Sequence, residues 1–337
     1  MSKNQTKLNP YRKSNLFSET VNKVKGWSIL LVVLGHIASP LSALIYSFHI
    51  PLFFFLGGLF IKATGSVSSY INRNFNRLIV PYFIFGLVGW GVTSLKNAAL
   101  HRPPDDLLQS ALGLFWWMDI EHLNHYGFVL WFLPALFWAR LIIFFMKKYL
   151  RVNDILLLSL LILTSNTISN LTKLPFGIDK ALVALPWVFF GLVFNRHKDY
   201  LLSRSPWKII FPVLAALVLV YMFGLPRLDL ATKVVGNAYI SIPYTFSVMF
   251  LLIYIVHYIR FPLRGANFIE QLVGQFGVYS LLVLVTHPYT NNISHLIVNF
   301  FLGDGYWLEK FSLSILMLLA FIQIKLVFIK SSLFKWL

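Results

Sequence analysis

The 337-residue chain is 58% hydrophobic and 12% charged, with a mean hydropathy of +0.71, whereas a soluble domain carries about 25% charged residues. A water-soluble fold of this size could not hide so much apolar surface. A formal charge of +17 would suit nucleic acid, but the basic residues cluster at the ends of apolar runs, as in membrane proteins, so nucleic acid is not expected as a partner.

Residues 1–20 are polar and basic and lack the apolar core of a signal peptide, so they are expected to form a cytoplasmic tail. From there on, runs long and apolar enough for a helical span recur at 23–39, 42–61, 78–96, 127–146, 154–171, 181–195, 207–224, 238–259, 277–299 and 310–329. Between Gly26 and Ile61 no Asp, Glu, Lys or Arg occurs. That stretch is too long for one straight span, and it suffices for two short ones turning at Ser39-Pro40. The predicted fold is an all-α polytopic membrane protein of about ten transmembrane helices, multi-pass in the plasma (inner) membrane. Most of the 29 lysines and arginines fall into alternate connections, among them Lys62, Arg73, Arg77, Lys147, Lys148, Arg196 and Arg260. This asymmetry predicts cytoplasmic N- and C-termini. Three segments follow: a tail at 1–22, a membrane domain at 23–330 and a second tail at 331–337.

The longest outer loop, about 97–126, holds Asp105, Asp106, Asp119 and Glu121 with His101, His122 and His125. Such groups are usually solvated, although Asp119, Glu121, His122 and His125 could bind sugar hydroxyls or a metal. The spacing of His101 and Asp106 is read as chance. The chain has no cysteine, which excludes disulfides, thiolate catalysis and cysteine-ligated zinc.

The first helix carries the sharpest signal. Lys25 and His36 lie eleven residues apart, close to a whole number of turns, so they share a face about 16 Å apart along the axis. A cation thus marks the cytoplasmic end of a stripe whose deeper position is a titratable imidazole. A long donor such as acyl-CoA suits that geometry. Its phosphates would stay near Lys25 and its thioester would reach His36, whose side chain is the usual general base near neutral pH. Read alone, Lys25 is equally a snorkelling flank. His36 differs, because an ionisable group inside a span faces the bundle interior or a cavity, with a packed, hydrogen-bonded histidine as the lesser alternative.

The segments KGWSILLVVLGHIAS and IYSFHIPLFFFLGGLFIK, followed by RLIVPYFIFG (77–86), LWFLPALF (130–137) and GQFGVYSLLVLVTHPY (274–289), resemble the membrane acyltransferase-3 family. Within it, the resemblance is to the fucose-4-O-acetylase-like sugar O-acetyltransferases. It covers most of the chain, with the landmarks in the same order. The family pattern of a basic residue, ten others and a histidine falls on Lys25 and His36. The resemblance implies an enzyme moving an acyl group, usually acetyl from cytoplasmic acetyl-CoA, to a hydroxyl of a cell-surface or lipid-linked carbohydrate. The coenzyme is a co-substrate, and no bound cofactor or metal is expected. His36 would be catalytic and Lys25 would help hold the donor.

Other positions follow from the same comparison and from spacing. Arg73 and Arg77 would share a helix face and grip the donor's phosphates, although the family's common arginine spacing is one residue shorter; plain positive-inside flanking accounts for them equally well. His49, before Pro51, would place His36 or the acceptor, or serve as a structural histidine. Gly57 stands where the family more often has serine, and the Gly57-Gly58 pair permits close helix packing. His287, before Pro288, is a second catalytic candidate. Asn291 and His295 follow at intervals of four and would extend a polar stripe, with Asn291 binding the acceptor or supporting the site. The alternative function is a transporter or exporter of a glycan or related solute, since such carriers also bury histidine and arginine.

Overall fold

The computed structural model describes residues 10–104, 106–117, 129–150, 152–169, 173–258 and 266–328. Among these the regular structure is helical, and strand-like pairing is confined to Asp229 and Val234. Four helices are long and apolar enough to cross a membrane, at Val67–Ala99, Pro175–Leu201, Ala238–Tyr258 and Trp307–Leu326, and a bent pair supplies a fifth. Further apolar helices of 10–17 residues span Ser42–Gly58, Leu107–Trp116, Asp154–Ile168 and Trp207–Phe223.

Helix α1 runs from Pro10 to Gly35, so helical structure begins well before the expected membrane entry at 23. Proline at a helix start loses no hydrogen bond. The expected span at 42–61 is instead broken into α2 (Ser42–Tyr46) and α3 (His49–Gly58). Phe48 leaves helical geometry between them, at φ −148°. The next helical run comprises α4 (Val67–Asn74), a wider π turn (Phe75–Ile79) and α5 (Val80–Ala99). Pro81 has no N–H to offer the carbonyl four residues back, and Val80 N–H bonds Phe75 O five residues back. A short α6 (Leu107–Leu112) follows. Asp106 caps its start by accepting from Leu108 N and Gln109 N, which accounts for that carboxylate.

Helix α9 (Ile178–Leu201) is the centre of the bundle and is buried along most of its length, whereas α14 (Trp307–Phe328) is largely exposed. It packs against α3, α7 (Phe132–Tyr149) and α8 (Asp154–Ile168). Its contact with α3 is made by glycine on both sides. A Cβ on Gly58 would stand 1.9 Å from Val188 O, and one on Gly191 2.1 Å from Phe55 O. Gly58 therefore does what small residues do in membrane helices, letting two backbones touch. Helix α10 (Trp207–Phe223) has no buried residue and turns Phe211 and Tyr221 outward, as a lipid-facing helix would.

The expected span at 277–299 becomes two helices. Helices α12 (Ala266–Val278) and α13 (Ser280–Leu302) meet at 92°. The bend at Tyr279 lets α12 lie against α1, where Gly26 and Gly277 form a second glycine crossing: a Cβ on either would fall within 2 Å of a carbonyl of the other helix. The remaining long helix, α11 (Ala238–Tyr258), packs on α10 and α1.

Basic residues gather at one end of the bundle. There Asp154 pairs with Lys147 at 2.7 Å and with Arg196, joining α7, α8 and α9. Burial alone would raise the Asp154 carboxyl, but the Lys147 hydrogen bond and the Arg196 charge hold it below the usual carboxylate range. Lys23 of α1 bridges Glu19 and, at 2.6 Å, Glu270 of α12.

Candidate functional site

At the opposite end of α1 three histidines converge. His36 follows the last residue of α1, His49 opens α3, and His287 lies within α13. The ring of His36 stands 5.1 Å from that of His287 and 6.4 Å from that of His49, centroid to centroid. His49 and His287 are fully buried, and His36 is half-buried.

Each imidazole is turned the same way by a backbone carbonyl three or four residues before it. His36 Nδ1 lies 2.9 Å from Val32 O, His49 Nδ1 2.9 Å from Ile45 O, and His287 Nδ1 2.8 Å from Leu284 O. A carbonyl only accepts, so Nδ1 carries the proton in all three, and the neutral ring keeps its lone pair on Nε2. The Nε2 atoms of His49 and His287 are buried and meet no hydrogen-bond partner among the described residues. Basic nitrogens are thus concentrated at one point inside the bundle.

Beside them lies a cavity of about 250 Å³. His36, Tyr46 and His49 line it with Trp131, Phe132, Phe53 and, from one turn, Leu228, Asp229 and Ala231. The Tyr46 ring is 5.8 Å from His36 and 5.0 Å from His49. Its phenol adds an O–H donor next to the acceptors. Tyr46 belongs to the short α2, and nothing in its sequence neighbourhood marks it apart from its place in a segment without charges.

Asn291 does not line the cavity. It sits one turn beyond His287, and its Nδ2 donates to Val33 O at 3.0 Å. The end of α1 needs this bond, because Ile37 N turns to Leu34 O and leaves the Val33 carbonyl without its usual donor. Ser314 of α14 donates to Asn291 Oδ1 at 2.7 Å. Asn291 thus braces the helix end that carries His36. His295 leaves the expected stripe: it is exposed and interacts with Asn299. Eight residues advance a helix by about 80° beyond whole turns, enough to rotate it off the buried face.

The donor candidates gather toward the basic end. Lys25 is half-buried on α1 and lies within electrostatic range of Arg77. Arg73 and Arg77 are exposed, and both act on Arg140 of α7. Arg140 is an unforeseen member of this group. Its Nη1 donates to Gly57 O at 2.8 Å, and Tyr70 Oη donates to the Arg140 carbonyl at 3.4 Å. In the sequence it stands mid-run, seven residues before Lys147-Lys148, where a charge is unusual. Asp119, Glu121, His122 and His125 lie outside the described residues.

The sequence profile of an acyltransferase domain, that of the acyltransferase-3 family, matches residues 20–326. No curated protein and no solved structure matches the chain. With a profile match over nearly its whole length, the chain belongs to the acyltransferase-3 family and is a multi-pass membrane acyltransferase.

Proposed function

We propose that this acyltransferase moves acetyl from cytoplasmic acetyl-CoA to a hydroxyl of a cell-surface or lipid-linked carbohydrate, with His36 as general base. The observation that carries the reading is the pairing of a cationic cluster beside the middle of α1 with a cluster of oriented imidazoles at its C-terminal end. About 16 Å of helix separates Lys25 from His36. A coenzyme with phosphates at one terminus and a thioester at the far end of a flexible arm matches that division. Guanidinium and ammonium groups suit the phosphates.

In this reading the acceptor hydroxyl lies in the cavity, against His36 Nε2. Its proton passes to that nitrogen as its oxygen bonds to the thioester carbon. The tetrahedral intermediate collapses by breaking the carbon–sulfur bond, and the proton leaves His36 for the departing sulfur. The products are the O-acetyl ester and free coenzyme A. His287, and less directly His49, supply lone pairs beside the imidazolium formed midway. Tyr46 supplies an O–H for the oxyanion, the kind of donor such intermediates need. The apolar walls keep water away from the thioester.

The test is transfer of labelled acetyl from acetyl-CoA to glycan in membranes containing the native protein or a His36→Ala variant at equal amounts. Label should appear on glycan with the first and be lost with the second. Equal transfer by both would remove His36 from the mechanism, and acetyl-CoA-independent movement of a glycan would favour a carrier instead.

A further inference from the structure

The wall of the cavity facing the histidines comes from the connection between α10 and α11, residues 224–237, which folds back into the bundle. Leu228, Leu230 and Val235 of this segment are buried. Asp229 and Val234 exchange both backbone hydrogen bonds at 2.8 Å, closing a tight turn. Lys233, at φ +63° within that turn, places Nζ 3.4 Å from Oδ2 of Asp179, a carboxylate 1% exposed in the first turn of α9. Ser241 Oγ donates to Val235 O at 2.7 Å. The connection is therefore a fixed part of the core.

Among the described residues, this arrangement delivers one carboxylate, Asp229, to a cavity whose other lining is aromatic, aliphatic, imidazole and phenol. Its Oδ1 accepts from Ala231 N at 3.0 Å and from Thr232 N at 3.4 Å, which fixes the side chain. It lies within electrostatic range of Tyr46, which lines the same cavity. A turn-forming aspartate needs only to sit at a surface, and this one is half-buried in the lining of the cavity that His36 and His49 also line. Few polar groups in an apolar pocket fix the orientation of what binds there.

We propose that Asp229 recognises the acceptor, a reading that rests on the sugar-acylating function above. A carboxylate accepts hydrogen bonds and offers none, so it selects a group rich in O–H donors. It would hold a hydroxyl neighbouring the one presented to His36, and so decide which hydroxyl is acylated. A second negative charge brought beside it in this setting is repelled, so neutral sugars are accepted and uronic acids or phosphorylated sugars are disfavoured. Trp131 and Phe132 give the apolar face of a pyranose ring something to lie on.

The experiment uses the full chain in lipid nanodiscs with acetyl-CoA and matched acceptors: para-nitrophenyl hexosides and the corresponding uronides. The quantity read is the ratio of kcat/KM between neutral and anionic acceptors, which does not depend on the fraction of protein folded. The native protein should favour neutral hexosides by roughly tenfold or more. Asp229→Asn keeps an oxygen for the two turn amides, and it should narrow the ratio about tenfold with a higher acceptor KM. Asp229→Ser also keeps a turn-forming oxygen and should narrow it likewise. An unchanged ratio and KM in both variants, with the native protein active on hexosides, would overturn the role of Asp229 alone. Failure of the native protein to acetylate any hexoside would remove the sugar-acylating function, and this inference with it.

Discussion

The imidazole rings of His36 and His287 stand 5.1 Å apart and are tilted by 59°, each with Nδ1–H bonded to a carbonyl of its own helix. Two neutral rings held this way have no hydrogen to place between their Nε2 atoms until one takes up a proton. The proton removed from the acceptor would then have a second lone pair close by. His36→Ala should lower kcat by about 10²–10⁴-fold, the range for loss of a general base. His287→Ala should lower kcat by a smaller factor and leave KM for acetyl-CoA near its native value. Steady-state kinetics with varied donor and acceptor decides this, and an equal loss from both substitutions would mean that the pair acts as one unit.

Donor recognition can be separated from chemistry by truncating the donor. Arg77→Ala and Lys25→Ala should raise KM for acetyl-CoA by about tenfold each, from loss of charge-assisted contacts to phosphate. With S-acetyl-pantetheine, which lacks phosphates, the variants and the native protein should react alike. A comparable defect with the truncated donor would place these cations in structural roles.

Asn291 is expected to act through α1. Asn291→Asp replaces the donor facing Val33 O with an acceptor, while Asn291→Gln keeps the amide. The aspartate should therefore be the worse of the two, reducing kcat by about tenfold or more, with some activity retained by the glutamine. Amide hydrogen exchange over residues 33–37 would rise in the aspartate variant if the helix end frays as proposed.

The glycine crossings give a stability contrast. Gly58→Ala and Gly191→Ala would drive a methyl into backbone carbonyls and should cost about 1–3 kcal/mol or more. Gly91→Ala meets nothing within 4 Å and should be neutral or slightly stabilising. Melting temperatures in one detergent would show the difference, and a normal melt for Gly58→Ala would mean that α3 and α9 can part without loss.

Acid should remove the Asp154 contribution. Its folded carboxyl lies below the ordinary value of 3.8, so its pairing stabilises the fold fully above that pH and is lost as pH falls through the lower folded value. The melting difference between the native protein and Asp154→Asn should be constant from pH 7 to about 5 and shrink below about 4. A difference that grows with acid would contradict the ion pairs.

Much of this was legible in the sequence because helix periodicity acts locally. The alignment of Lys25 with His36 needs only the pitch of one helix, and the helical runs need only apolar length. What the sequence concealed depends on contacts between distant segments. Tyr46 and Asp229 reach the cavity because α2 breaks from α3 and because the 224–237 connection folds inward, and neither has a periodic signature. The bend at Tyr279 goes with a glycine contact between α12 and α1, and the α1 half of that contact lies outside 266–302. His295 departs from the expected stripe for the opposite reason: spacing of four holds a face for one turn and drifts off it by two.

One consequence of the Asn291 brace concerns biosynthesis. The carbonyl that ends α1 receives its side-chain donor from a residue 258 positions later, itself fixed by a serine on α14. While the chain is still being made and inserted, the helix bearing His36 exists without the parts that seat its terminus. A half-built protein would therefore hold His36 on an unseated helix end until the last of these helices arrives.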